Sequence, residues 1–331
     1  MVTAGPAEIQ AAVRALRAGE LVAFPTETVY GLGADASNPA AVRRIFEVKG
    51  RPARHPVIVH LSGAQQLTHW ARAVPPEAMV LAERFWPGPL TLVLSRAAAV
   101  LDVVTGGQDT VGLRVPSHPV AQQLLAGFGG GIAAPSANRY GRVSPTRAEH
   151  VREEFGEEVR VVLDGGDCQI GLESTIVAFQ GRQARLLRPG AITAAQLRQV
   201  VGGLALGPDV ASPRVPGSTA AHYAPSTPVT LVPAGEIDAR AEALAHGGSR
   251  VAVLSWRQPR AGHPAVTWVN AGQRAVQYAH DLYAHLRALD RAGCEQILVQ
   301  EVPSGEAWAA IRDRLRRAAT GAANGAQADA T

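Results

Sequence analysis

"NPAAVRRIFEVKGRPARHPVIVH", Asn38 to His60, holds a helix, a basic loop and a strand in immediate succession. Asn38 is a capping residue type, and Pro39 suits a first helical turn. Val42, Ile45 and Phe46 recur on one helical face, and Gly50 is the kind of residue that ends a helix. "HPVIVHL" then reads as a short buried strand. A helix feeding straight into a buried strand sets the class as α/β.

The same reading extends on both sides. "LVAFP", "PLTLVL", "TVGLRVP", "GIAAPS", "VRVVLDGG", "STIVAF" and "ARLLRPG" are strand-like, and "SPTRAEHVREEFG" repeats the cap-and-proline pattern at Ser144 and Pro145. So many strands per helix predict a large mixed sheet with flanking helices, over residues 8–202. The pattern stops at Gly203, and the proline-rich stretch 203–227 reads as a linker that is expected to close as a lid. Order returns over 228–318, where "PVTLV", "RVAVLSW", "AVTWVN" and "EQILVQE" alternate with helical segments. That layout predicts a small Rossmann-like α/β domain. The tail 319–331 is expected to be disordered.

Composition bounds the function classes. A chain of 331 residues with 47% hydrophobic and 18% charged content is an ordinary globular protein of about two domains. No apolar run reaches the roughly 20 residues of a membrane span, and the N-terminus reads as a short amphipathic helix instead of a signal peptide. Cys168 and Cys294 fit no zinc or disulfide framework, so a cytoplasmic location is expected. The net charge of +4 suits anionic substrates or RNA without singling out either.

Lys49 is the sole lysine among 32 basic residues. In a chain that otherwise uses arginine, a compact ammonium two residues from Arg51 reads either as chance at a helix end or as part of a tight anion site, and its surroundings favour the site. Other motifs are weaker. "YGLGADA" outlines a dinucleotide fingerprint, but the strand that should end in an acid ends in His60, so the glycines read as a turn needing positive φ. A Walker A loop is excluded, since Lys49 precedes its glycine. What remains is a scatter of small polar and basic groups at strand ends: Thr26, Glu27 and Thr28; Lys49, Arg51 and Arg54; Thr110 and Arg114; Ser136, Asn138 and Ser144; Ser174 and Thr175; and Arg188. Each alone is turn chemistry. Together, outside strand ends of an open α/β sheet, they describe a phosphate and carboxylate site.

The ordered motifs "FPTETVYGLG", "KGRPxxHP", "VGLRVPxHP", "APSAN", "LESTIV" and "LRPG" resemble the YrdC-like domain. "SPRVPGSTAAHYAP" is similar to the linker of the long, two-domain form of the threonylcarbamoyl-AMP synthases. The resemblance implies a YrdC-like twisted sheet and a reaction of L-threonine, bicarbonate and ATP, with Mg2+ on the phosphates and no metal ligand from the protein. The product would serve transfer of the threonylcarbamoyl group to a tRNA adenosine beside the anticodon by other proteins. It further implies ATP contacts at Lys49, Arg51, His55, Thr110, Ser136, Ser144, Arg188 and Tyr223. Threonine contacts are implied at Thr28, His60, Arg114, Ala134 and Ser174. Family members often carry asparagine at the position of His55. No general base stands out; Lys49 and His60 are the candidates. Two other readings compete. A pure RNA-binding module lacks any recognition signature here, with aromatic content of only 5%. A hydrogenase-type carbamoyltransferase would be longer and carry zinc-finger-like cysteines.

Overall fold

The structure is a computed structural model that describes residues 4–219 and 221–328. The chain divides into two compact units, Met1–Tyr140 with Pro145–Ser218, and Gly141–Ser144 with Thr219–Thr331.

In the first unit, the helix Pro39–Lys49 forms as its sequence dictates. The Asn38 side chain accepts from the amides of Ala40 (3.0 Å) and Ala41 (3.2 Å). Gly50 adopts φ 61°. Its amide bonds Glu47 O and the Arg51 amide bonds Phe46 O, which is a Schellman ending. Val42, Ile45 and Phe46 are buried, each stabilising the fold by about 1.5–3 kcal/mol. The ending leaves Lys49 and Arg51 on either side of a sharp turn.

Ten strands build the sheet: β1 (Val22–Phe24), β2 (Gly31–Asp35), β3 (Ile58–His60), β4 (Leu90–Ser95), β5 (Thr110–Arg114), β6 (Ile132–Ala133), β7 (Val161–Val162), β8 (Thr175–Gln180), β9 (Gln183–Arg188) and β10 (Leu204–Leu206). Their order is β10-β9-β8-β4-β5-β3-β6-β2-β1-β7. Parallel and antiparallel pairs mix, as the strand-rich pattern predicts: β3 runs parallel to β5, and β4 antiparallel to it. One apolar layer gathers Leu32, Val42, Ile45, Val59, Leu92 and Leu113. Another packs the helices Pro6–Arg17 and Pro119–Phe128 over Val22, Phe24 and Ile132.

Four expectations need correction. "GLGAD" is strand β2, not a positive-φ turn. Its glycines answer crowding: a Cβ on Gly33 would lie 2.8 Å from both Ile132 and Phe24 side chains. Ser144 and Pro145 cap no helix; that helix starts at Ala148 after Arg147. The linker is not free of regular structure, because β10 pairs in parallel with β9. The last helix runs Ala309–Ala328, past Ala318. Residues 329–331 of that tail lie outside the described residues.

The second unit carries a four-stranded parallel sheet of β11 (Val229–Val232), β12 (Val251–Ser255), β13 (Val266–Asn270) and β14 (Gln296–Gln300), in the order β11-β14-β12-β13. Segment Gly141–Ser144 belongs to it. The Ala224 amide bonds Gly141 O (2.8 Å), and Arg287 donates to Val143 O (2.5 Å).

Candidate active site

Parallel pairing sets His60 opposite Arg114, so β3 and β5 deliver both at their carboxyl ends. Arg114 is 4% exposed. Its Nη2 donates to Glu27 Oε1 at 2.7 Å, and its Nε donates to Gly88 O at 3.3 Å. The other Glu27 oxygen accepts the Ser117 amide at 3.0 Å. Burial first, and then the Arg114 charge, push the His60 imidazole down to about 3. His60 is therefore neutral at ordinary pH, which removes it as a titrating base there.

The loop after β1 presents Thr28. Thr26 Oγ1 donates to Val29 O (2.6 Å), so the 2.8 Å contact between the two threonine hydroxyls leaves Thr28 as donor to Thr26. With its proton spent, Thr28 Oγ1 offers lone pairs to a ligand. Ala134 gives its amide to Ile58 O (2.9 Å), so only its carbonyl is left to offer. Ser174 Oγ lies 2.7 Å from Thr91 Oγ1 and accepts from Arg188 Nη2 at 3.1 Å.

The lone lysine has a different setting. Lys49 is 3% exposed, and its Nζ donates to Ser136 O at 2.6 Å and to Asn138 O. No carboxylate among the described residues pairs with it. Burial, followed by the Arg51 charge, lowers its ammonium well below the usual lysine range. Tyr140 closes the loop: its amide bonds Lys49 O (2.8 Å), and its ring lies 5.9 Å from the Arg51 guanidinium. The same ring stacks edge-on with His55 at 5.5 Å. Burial and then nearby arginines, Arg51 first, lower the His55 imidazole.

Thr110 opens β5 and Arg114 closes it, so the two lie about 13 Å apart at roughly 3.3 Å per residue. Thr110 lines a crevice with Thr91, Val93, Ile176, Val215 and Pro216. The linker roofs it. Gln108 grips the Arg214 backbone through both amide atoms, at 2.7 and 3.1 Å, and Arg188 Nη1 donates to Pro216 O at 2.9 Å.

Residues 14–190 match the family model described as telomere recombination, of the Sua5, YciO and YrdC type. Residues 192–320 match the threonylcarbamoyl-AMP synthase C-terminal domain. The threonylcarbamoyl-AMP synthase of Pyrococcus abyssi is 40% identical over 322 residues, covering 94% of each chain. That of Bacillus subtilis is 40% identical over 95% of this chain and 93% of its own. The crystal structure of Pyrococcus abyssi Sua5 complexed with L-threonine superposes with a TM-score of 0.88 at 39% identity, over 95% and 94% of the chains.

The chain belongs to the threonylcarbamoyl-AMP synthase family.

For a threonylcarbamoyl-AMP synthase, the placement of the sequence-derived residues is uneven. Thr28, His60, Arg114, Ala134 and Ser174 lie on strand ends or adjoining loops of the first unit, as do Arg51, His55, Thr110, Ser136 and Arg188, while Lys49 ends the helix Pro39–Lys49. Ser144 and Tyr223 belong to the second unit. There Tyr223 is 1% exposed, holds φ 62°, stacks on Tyr283 at 5.9 Å and lies under the Arg314 guanidinium at 5.3 Å. The stretch Ser212–Pro225 therefore divides after Ser218 and does not form one piece. Sequence reasoning counted Glu27 only as one of the strand-end groups and did not name Thr91 or Gln108. Their partners lie 87, 83 and 106 residues away, beyond any local pattern.

Among the described residues, no group of three or more His, Cys, Asp or Glu could hold a metal ion. Among the described residues, no helix is long and apolar enough to cross a membrane.

Proposed function

We propose that this chain makes L-threonylcarbamoyl-AMP and pyrophosphate from L-threonine, bicarbonate and MgATP. The observation that carries the reading is a pair of buried cations in one unit: Arg114, neutralised by a carboxylate, and Lys49, held by carbonyls alone. In this reading Arg114 takes the threonine carboxylate through a charge-assisted bond. Thr28 accepts from the threonine hydroxyl, Ser174 supports it, and neutral His60 with the Ala134 carbonyl completes the subsite. Lys49 and Arg51 take the phosphates, with His55, Thr110, Ser136 and Arg188 along the nucleotide.

Bicarbonate takes up a proton and releases water to give CO2, which the threonine nitrogen captures as a carbamate, the ammonium form losing two protons to solvent. A carbamate oxygen then attacks the α-phosphorus in line, and the bond to the bridging oxygen breaks with pyrophosphate leaving. No covalent enzyme intermediate is required, so the chain contributes positioning and charge stabilisation. Mg2+ arrives with ATP and offsets phosphate charge. The Pyrococcus relative's complex with L-threonine supports the amino-acid assignment. The mixed anhydride is suited to a following acyl transfer, for which the exocyclic amine of a tRNA adenosine is the proposed acceptor.

Pyrophosphate release is the test. It should require threonine and bicarbonate together with ATP. Release that continues without threonine would overturn the reading and favour an unrelated nucleotide activity.

A further inference from the structure

Glu27 is 2% exposed and lies against the acid end of the site. Its Oε1 accepts from Arg114 Nη2, its Oε2 from the Ser117 amide, and its main-chain oxygen from the Ile170 amide at 2.8 Å. Arg114 is thus pinned along one side, by Glu27 at Nη2 and by Gly88 O at Nε. Its Nη1 has no hydrogen-bond partner among the described residues. A guanidinium is planar, so fixing two of its nitrogens fixes the direction of the third.

We propose that Glu27 is a positioning residue for the amino-acid substrate. Holding Nη2 and the Ser117 amide together, it aims the outer edge of Arg114 at the incoming carboxylate. It also cancels the arginine charge while the subsite is empty, so the cation does not collapse onto nearby carbonyls. This rests on the reading that Arg114 receives the threonine carboxylate. The partner class is a substrate with one α-carboxylate, bound end-on by Nη1 and the remaining Nη2 hydrogen.

A double-mutant cycle tests it on the full chain. Glu27→Gln keeps the shape and removes the charge, and Arg114→Met keeps the bulk and removes the fork. Glu27→Gln should raise the threonine KM about tenfold, with kcat and the ATP Kd each changing less than threefold. In the Arg114→Met background the same change should move the threonine KM less than twofold, because its target is gone. Equal rises in both backgrounds would make Glu27 a general fold residue and overturn the proposal. A normal threonine KM in Glu27→Gln beside a raised one in Arg114→Met sinks the proposal alone. A normal KM in Arg114→Met sinks the underlying reading, and the proposal with it. Should Glu27→Gln fail to fold, the doubly neutral variant is compared with Arg114→Met, and a further rise in threonine KM of more than twofold overturns the proposal.

Discussion

Arg114 and Lys49 are 4% and 3% exposed, yet the first unit keeps them in opposite ways. Arg114 meets a carboxylate at 2.7 Å that offsets its charge. Lys49 bonds two carbonyl oxygens and no carboxylate among the described residues, and with Glu154 acting only weakly on it, burial lowers its ammonium well below the usual lysine range. A pre-neutralised cation is suited to orienting a single-charged ligand. An uncompensated one is suited to a polyanion that brings the missing charge. Under the proposed function, this difference is what assigns Arg114 to the amino-acid end and Lys49 to the phosphate end.

The comparison breaks most sharply at Lys49. Lys49→Arg keeps the charge but puts a planar fork where a compact ammonium fits between Ser136 O and Asn138 O. Overpacking costs about 1–3 kcal/mol, and lost charge-assisted bonds cost about 1.5–3 kcal/mol. Adenylate formation should fall roughly a hundredfold or more. Full activity in that variant would return the lone lysine to chance.

Arg114→Ala should raise the threonine KM about tenfold or more, since a charge-assisted bond of about 1.5–3 kcal/mol is lost and 1.4 kcal/mol is tenfold. The ATP KM should move far less. Equal weakening of both substrates would erase the distinction between the two ends.

A smaller effect is expected where neither cation is involved. Gln108→Ala removes both amide contacts to Arg214, which are exposed and worth about 0.5 kcal/mol each. Proteolytic cleavage within Ser212–Ser218 should quicken about fivefold and be slowed by ATP plus threonine. Unchanged cleavage in the variant would mean that Gln108 does not seat the linker.

His60 should show the smallest effect of all. Its folded value of about 3 lies below the ordinary 6.5, so the unfolded chain binds more protons between the two. Stability from this group is complete above about 6.5 and falls as pH drops toward 3. The threonine kcat/KM should show no His60 ionisation between about pH 6 and 9. An inflection near 6.5 that vanishes in His60→Gln would contradict a buried, neutral ring.

The helix Pro39–Lys49 was legible to the residue, because its cap, its apolar face and its closing glycine are all local. So were the strand-end positions of Arg114 and His60, which follow from apolar runs ending in a polar group. β2 was not legible, since glycines signal positive φ and close packing alike, and only the Phe24 and Ile132 side chains decide between them. Glu27 was visible as a polar residue at a strand exit, yet its role depends on a partner 87 residues away. The division of the linker after Ser218 follows from tertiary packing around Val215 on one side and Tyr223 on the other.

Gly141–Ser144 has a consequence for how this chain can be dissected. A fragment ending at Ser218 keeps all ten strands of the large sheet, but strips Gly141 O and Val143 O of the Ala224 and Arg287 donors. A fragment starting at Thr219 loses the same segment from the other side. Neither half is a clean module, so co-expressed halves should complement each other better than either half survives alone.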